Sequence, residues 1–202
     1  MTLWLAAQPL VLASRSAVRR ALLEAAGVPV ELDPADLDER ALERAAAAAA
    51  PAAIAALLAR AKASSVAGRR PGRLVLGADQ TLALGDERFA KPVNRAVARA
   101  QLRALSGRTH ELHSAIAFVQ DARVVFECVG TARLTMRPLS DHFLDLYLDT
   151  VGDTAMASVG AYQLEGLGVQ LFEQIEGDYF TVLGLPVLPA LDFLRTHKCL
   201  LP

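Results

Sequence analysis

Two serines and three arginines are concentrated where a short apolar run gives way to a helical pattern. The run covers residues 10–13, and the polar residues that follow it are Ser14, Arg15, Ser16, Arg19 and Arg20. A helix that begins directly after a strand presents unpaired backbone N–H groups and the positive end of its dipole. Hydroxyl and guanidinium donors beside that turn would complete a phosphate site. Solvated surface arginines would give the same pattern.

An aspartate in a second segment could supply the acidic group that phosphate cleavage requires. Asp79 follows an apolar run at residues 73–77. Because ligands bind at the carboxyl ends of strands in α/β sheets, we expect Asp79 to lie at a strand end. Phosphoryl transfer needs oxygen ligands for a divalent cation or a base for the attacking water. Asp79 could serve either purpose, and a turn cap is the alternative.

Three further charged residues could assist this chemistry. Glu31, at the end of another expected strand, is a candidate second carboxylate. Lys62 lies on the helix that precedes Asp79, and Lys91 precedes a proline that restricts its backbone. Either lysine could neutralise a polyphosphate, although each could equally be a surface charge. The acidic run at residues 36–39 is interpreted as turn and helix-start charges.

A glycine-rich segment at residues 160–168 could receive a flat ligand. Closely spaced glycines let the backbone approach such a ligand closely. Tyr162 could stack on the ligand, and Glu165 could accept hydrogen bonds from it. A tight, bulged strand connection would explain the same residues without a ligand.

The composition bounds the protein class. The chain has 202 residues, of which 53% are hydrophobic, and a formal net charge of −1. This charge argues against a general nucleic-acid binder, which needs a basic surface. The alanine-rich stretch at residues 45–59 is too short and too weakly apolar to span a bilayer. We expect one domain over residues 1–202, in the cytoplasm, without a membrane or nucleic-acid partner.

The hydrophobic pattern predicts an α/β fold with a mixed sheet. Helices are expected from Ser16 to a C-terminal Gly27, over residues 38–67 with a break at Pro51, from Asn94 to residue 105, from Ser140 to residue 149 and over residues 187–197. Strands are expected at residues 10–13, 28–32, 73–77 and 81–84, in a hairpin of residues 109–120 and 123–136, and within residues 155–183.

Taken together, these segments resemble the motifs of the Maf nucleotide pyrophosphatases. The matching stretches are residues 12–14 with 19–23, residues 77–79, residues 91–92, residues 105–107 with His110, residues 160–168, residues 176–179 and residues 182–186. They occur in the same order over nearly the whole chain. Any one motif would be weak evidence, but the ordered set is specific.

The resemblance implies hydrolysis of a nucleoside triphosphate to the monophosphate and pyrophosphate, with a divalent cation such as Mg²⁺ or Mn²⁺. It implies an elongated mixed sheet flanked by helices, two lobes with a cleft as in inosine triphosphatases, and a homodimer. By position, Asp79 matches the proton acceptor. Residues that match phosphate or metal ligands are Ser14, Arg19, Glu31, Lys62 and Lys91, with Asp79 and Glu31 as the expected metal ligands.

Three positions match sites linked to base choice: Val18, Gln80 and Glu165. The commonest family pattern has arginine, threonine and glutamine there, and this chain is more similar to the branch that acts on 7-methyl-GTP. Ionised Glu165 only accepts hydrogen bonds, which suits the adjacent donors of guanine and the positive charge of an N7-methylated ring. We therefore expect a guanine-type substrate. A dTTP/UTP pyrophosphatase and a non-catalytic nucleotide-sensing module are the alternatives.

Overall fold

The computed structural model describes residues 2–202, which divide into two compact units. Unit 1 comprises the residues up to Gln80 together with Ser114–Gly130 and Asp178–Pro202. Unit 2 comprises Thr81–His113 and Thr131–Gly177. The expectation of one domain over residues 1–202 stays a prediction. No helix within residues 2–202 has the length and apolar character needed to cross a membrane.

The chain forms an α/β fold with a seven-stranded mixed sheet, as the sequence predicts. The strands are β1 (Leu10–Leu12), β2 (Val30–Leu32), β3 (Val75–Leu84), β4 (Glu87–Phe89), β5 (Thr109–Gln120), β6 (Arg123–Met136) and β7 (Phe172–Glu176). The helices are α1 (Ala17–Ala25), α2 (Glu39–Ala45), α3 (Pro51–Ala67), α4 (Arg95–Leu105), α5 (Asp141–Val151), α6 (Tyr179–Val182) and α7 (Val187–Thr196). The strand order is β2-β1-β3-β5-β6-β7, with β4 paired to β3. β1 is parallel to β2 and β3, whereas the β3–β4 and β6–β7 pairs are antiparallel.

Local capping chemistry sets several helix starts, and these predictions are confirmed. Ser16, Asn94 and Ser140 are the N-caps of α1, α4 and α5, and each side chain accepts a hydrogen bond from a first-turn backbone N–H. Pro51 occupies the first position of α3, where its missing N–H costs no helical bond. Gly27 follows the C-cap of α1 with φ +77°, a conformation that suits glycine.

Two element predictions are wrong. The strand at residues 73–77 does not end before Asp79; β3 continues from Val75 to Leu84, so Asp79 lies inside the strand. Residues 155–183 are not mainly strand but contain 3₁₀ turns, the short β7 and the short α6. Gly160 and Gly177 in this stretch have φ of +76° and +114°, which interrupts an extended strand.

Alternating side chains of the unit 1 strands fill two separate hydrophobic clusters. One cluster contains Leu12, Leu76 and Ala78, whereas the other contains Val75 and the buried alanines of α3, Ala55, Ala59, Ala63 and Ala67. This alternation follows from the two-residue repeat of a strand. Small side chains on α3 let it approach β3 closely. The alanine-rich composition of α3 therefore serves the packing of this helix on the sheet.

Gly77 marks the closest approach of α3 to β3. A Cβ at this position would lie 2.7 Å from the backbone nitrogen of Ala63 and 2.9 Å from its Cβ, and would overlap the carbonyl oxygen of Ala59. We expect Gly77→Ala to lower the free energy of unfolding by about 1–3 kcal/mol or more, because backbone atoms must move apart. Denaturant unfolding measures this change.

Gly68→Ala is the matched control for that substitution. Gly68 follows α3, and a Cβ there would make only ordinary contacts, at 3.6 and 3.8 Å. We expect little change in stability for this variant. Equal destabilisation by the two substitutions would contradict the close approach at Gly77.

In unit 2, a ladder of opposite charges connects α4 to α5. Arg95, Arg99 and Arg103 on α4 pair with aspartates on α5, and the shortest contact joins Arg95 to Asp149 at 2.6 Å. These partners are largely solvent-exposed, so each pair contributes little stability by itself.

Candidate active site

Asp79 and Lys62 form a buried ion pair on the face of β3 that α3 covers. The Nζ of Lys62 lies 2.6 Å from the Oδ1 of Asp79, and each side chain is 11% exposed. Gly77 and Asp79 are two residues apart and therefore share one face of the strand. Lys62 lies on α3 between Ala59 and Ala63 as this helix crosses Gly77, which brings the ammonium group to the carboxylate.

The carboxylate of Glu39 forms a second ion pair with Lys62. Its Oε2 lies 2.8 Å from the Nζ of Lys62, and its side chain is 46% exposed. Glu39 is the first residue of α2, which is capped by the side chain of Asp38. One ammonium group thus connects a buried carboxylate to a half-exposed one. We call Arg19, Glu39, Lys62 and Asp79 the Asp79 cluster.

Arg19 enters the cluster from the strand-to-helix turn that the sequence singled out. Its Nε donates to the carbonyl oxygen of Gly184 at 2.9 Å, and its Nη1 donates to that of Ala78 at 2.8 Å. Nη1 also lies 3.3 Å from the Oγ of Ser14. Within residues 2–202, Nη2 makes no hydrogen bond, so its two N–H groups are available to an anion.

Hydroxyl groups organise the backbone of that turn. The Oγ of Ser14 accepts a hydrogen bond from the backbone nitrogen of Ser16 at 3.2 Å, and the Oγ of Ser16 accepts one from that of Arg19 at 3.3 Å. Ser14 is buried, whereas Arg15 is exposed and Val18 is half-buried. The turn therefore combines a capped helix start with one anchored guanidinium group.

Burial and charge oppose each other at Asp79. Removal from water raises the pKa of the Asp79 carboxyl group above its ordinary value, while Lys62 and Arg19 act to lower it. Burial likewise lowers the pKa of the Arg19 guanidinium group, whereas the negative charges of Asp79 and Glu39 act to raise it. Asp79 and Arg19 therefore depend on their charged neighbours to remain ionised.

The Gln80 side chain is on the opposite face of β3 from Asp79. Its Nε2 lies 3.0 Å from the Oγ of Ser114 and 3.2 and 3.0 Å from the carbonyl oxygens of Thr181 and Val182. The amide nitrogen is thus engaged by groups of unit 1.

Glu31 has partners of its own, away from the lysine that Asp79 and Glu39 share. Its carboxylate lies 2.8 Å from the guanidinium group of Arg73 and 3.1 Å from that of Arg70. Arg70 also pairs with Asp33, whose pKa is lowered by the hydrogen bonds from Arg69 and Arg70. Glu31 therefore belongs to a surface ion-pair network that links β2 to the segment between α3 and β3.

Unit 2 holds the remaining residues that the sequence singled out. Lys91 and Glu165 are exposed, and neither makes an ion pair within residues 2–202. Tyr162 is buried, and its hydroxyl group lies 2.7 Å from the Nε2 of His110. Burial lowers the pKa of His110 to about 4, so this imidazole stays neutral near pH 7. Residues on either side of Glu165, Gln163 and Gly166 among them, line a cavity of about 260 Å³.

Asp79 and Glu39 are the residues of the Asp79 cluster that could hold a divalent cation together with a substrate. No group of three or more histidine, cysteine, aspartate or glutamate side chains within residues 2–202 could hold a metal ion alone. Magnesium is commonly bound through one or two carboxylates, with substrate phosphates and water completing its shell. Asp79 and Glu39 supply two such carboxylates.

A comparison with protein families decides the membership of this chain. Residues 9–197 match the family described as Maf-like protein. The chain belongs to this family.

Relatives of this Maf-like chain are similar to it over more than nine tenths of each chain. A protein of Rhodopseudomonas palustris (strain BisB5) named nucleoside triphosphate pyrophosphatase is 60% identical over 99% of each chain. A protein of Nitrobacter winogradskyi with the same name is 55% identical over 98% of each chain. A protein of Rhizobium etli named 7-methyl-GTP pyrophosphatase is 56% identical over 92% of this chain and 94% of the relative.

Sequence reasoning gave Glu39 of this Maf-like chain no chemical role. The acidic run at residues 36–39 carries the ordinary signature of a helix start, and Asp38 is indeed the N-cap of α2. Only the fold brings the next residue to Lys62, 23 positions further along the chain. Adjacent carboxylates at a helix start do not show which of them caps the helix, as Asp38 does, and which is free to contact another side chain, as Glu39 is.

Proposed function

We propose that this chain hydrolyses a guanine-type nucleoside triphosphate, such as 7-methyl-GTP, to the monophosphate and pyrophosphate. The chain is an enzyme of the nucleoside triphosphate pyrophosphatase class, as its family and its full-length relatives support. The observation that carries the proposed site is the Asp79 cluster, because a buried carboxylate is held beside two cations, one of which has two free donors.

In this proposal, Asp79 orients the attacking water and accepts its proton. The Oδ1 of Asp79 is occupied by Lys62, and no further hydrogen bond to this carboxylate is found within residues 2–202, so Oδ2 is available for a water molecule. The raised pKa of a buried carboxyl group makes it a better proton acceptor than an exposed one. A divalent cation held by Asp79, Glu39 and the phosphates would supply charge neutralisation.

The cationic residues stabilise the departing pyrophosphate. Nη2 of Arg19 offers two N–H donors in a fixed orientation, and Lys62 offers a compact positive charge. The Oγ of Ser14 accepts hydrogen bonds from the backbone nitrogen of Ser16 and from Nη1 of Arg19. Lys91 stays a proposed phosphate ligand, and Glu31 stays a less favoured metal ligand because two arginines engage its carboxylate. Catalysis of this kind is mostly positioning and charge stabilisation.

The choice of a guanine-type base depends on Glu165. Its exposed carboxylate is available to accept hydrogen bonds, and neighbouring residues line the unit 2 cavity. A carboxylate suits the adjacent N–H donors of guanine, whereas a pyrimidine imide presents one donor between two acceptors. The name of the Rhizobium etli relative agrees with this choice. The resemblance adds Val18 and Gln80 as further base-choice positions, but Gln80 is the less favoured of the two because its amide nitrogen is engaged by Ser114 and by carbonyl groups of α6.

A triphosphate panel with product identification tests the reaction and the base together. The purified protein is incubated with 7-methyl-GTP, GTP, UTP and dTTP in the presence of Mg²⁺ or Mn²⁺, and pyrophosphate and orthophosphate are measured separately. We expect pyrophosphate, released fastest from 7-methyl-GTP. Orthophosphate as the product would contradict the reaction class, and much faster turnover of UTP would contradict only the base.

We expect Glu165→Gln to reduce the preference for 7-methyl-GTP over UTP by about tenfold to a hundredfold in kcat/KM. The amide keeps the size of the side chain but loses the charge and one acceptor. Glu173→Gln, an exposed glutamate of β7, is the matched control and should leave the ratio unchanged. An unchanged ratio in Glu165→Gln would remove Glu165 from base recognition.

A further inference from the structure

Side chains of unit 1 donate hydrogen bonds to three carbonyl groups at and just after the end of α6, those of Thr181, Val182 and Gly184. The Oγ of Ser114 donates to the carbonyl oxygen of Thr181 at 2.7 Å, and Gln80 donates to those of Thr181 and Val182. The Nε of Arg19 donates to the carbonyl oxygen of Gly184, two residues after Val182. A four-residue helix leaves its last carbonyl groups without intrahelical partners. Together with the backbone hydrogen bond from Gly184 to the carbonyl oxygen of Thr181, these side-chain donors fix the end of α6.

Ser114 and Gln80 have no donors to spare for a ligand. Ser114 is completely buried, and its single hydroxyl proton is used by Thr181. Gln80 has two N–H groups and three acceptors within hydrogen-bond distance: the Oγ of Ser114 and the two carbonyl oxygens of α6. The Gln80 amide nitrogen could therefore contact a nucleobase only by releasing α6.

Gly184 connects this anchored segment to Arg19. A Cβ at Gly184 would lie 3.5 Å from both the Nη2 of Arg19 and the Oε1 of Gln80, so the guanidinium group and the amide flank the same residue. The guanidinium group is planar with its five N–H donors in fixed directions. The bonds from Nε to Gly184 and from Nη1 to Ala78 therefore fix the direction of the two free Nη2 donors.

We propose that Ser114 and Gln80 are positioning residues for Arg19, acting through the carbonyl groups of α6 and Gly184. This inference rests on the proposed function, in which Arg19 binds the phosphates. It gives Gln80 a role other than base choice, and it gives Ser114 a role that no motif indicated. Without the hydrogen bonds of Ser114 or Gln80 to α6, Gly184 can shift. The guanidinium group of Arg19 then loses the fixed orientation that its bond to Gly184 gives it.

The test compares Ser114→Ala and Gln80→Leu with Thr196→Ala, which removes a hydroxyl group that bonds only within α7. The value of kcat/KM is measured for the two triphosphates that the wild-type protein hydrolyses fastest. We expect each of the first two variants to lose about tenfold, by the same factor for both nucleotides. Thr196→Ala should match the wild type, and thermal unfolding confirms that each variant is folded.

A double-mutant cycle separates positioning from a general structural effect. The affinity for pyrophosphate in the presence of Mg²⁺ is measured by calorimetry for wild type, Ser114→Ala, Arg19→Lys and the double variant. Lysine lacks the Nε donor to Gly184, so we expect Ser114→Ala to weaken binding only when Arg19 is present.

Three results would overturn the inference. They are unchanged kinetics in Ser114→Ala, a base-dependent loss in Gln80→Leu, and a Ser114→Ala effect that persists in Arg19→Lys. Failure of the wild-type protein to release pyrophosphate from any triphosphate would instead overturn the proposed function.

Discussion

Asp79→Asn is expected to lower kcat by about a thousandfold or more, because the amide cannot accept the proton of the attacking water. Asparagine has nearly the same shape as aspartate, and its oxygen can still accept the hydrogen bond from Lys62. The ammonium group of Lys62 loses a buried counter-charge but keeps its ion pair with Glu39. We therefore expect a folded protein that unfolds at a lower temperature than the wild type.

Asp36→Asn is the matched control, since Asp36 is an exposed residue of the neighbouring acidic run. This control should retain wild-type turnover. Pyrophosphate release is measured for both variants at saturating nucleotide and metal. Near-wild-type activity in Asp79→Asn would exclude this carboxylate from the chemistry.

Lys62→Met is expected to lower activity at neutral pH and to shift the acid limb of the pH–rate profile upward. The profile depends on ionised Asp79, whose pKa burial raises and Lys62 lowers. Removal of the ammonium group leaves Arg19 alone to oppose burial and the repulsion from Glu39, both of which already raise the pKa of Asp79. The pKa of Asp79 must then rise, so the limb should move to higher pH by about one unit or more.

Arg60→Met on the same helix is the control, because Arg60 pairs with Glu127 on the surface. Its pH–rate profile should coincide with that of the wild type. An acid limb in Lys62→Met that stays in place or moves to lower pH would show that Lys62 does not control the ionisation of Asp79.

Local chemistry made much of this fold predictable. Ser16, Asn94 and Ser140 satisfy first-turn N–H groups with their own side chains, so the starts of α1, α4 and α5 are visible in the sequence. The β5–β6 hairpin is recognisable from two long β-rich runs joined by Asp121 and Ala122. These signals depend on residues only a few positions apart.

Tertiary packing decided the features that sequence reasoning missed. Asp79 resembled a residue after a strand end, but burial beneath α3 and the ion pair with Lys62 allow it to lie within β3. The sequence could not show whether Glu39 or Glu31 is the better candidate metal ligand. Only the fold shows that Glu39 pairs with Lys62, whereas Glu31 pairs with Arg70 and Arg73. The anchoring of Arg19 by Gly184 spans 165 positions and has no local signature.

The most direct test is the hydrolysis of the preferred triphosphate in water enriched with ¹⁸O, followed by mass spectrometry of both products. Attack on the α-phosphorus beside Asp79 places the label in the nucleoside monophosphate and leaves pyrophosphate unlabelled. Label in pyrophosphate, or in orthophosphate released from the terminal position, would contradict the assignment of the Asp79 cluster to pyrophosphate release.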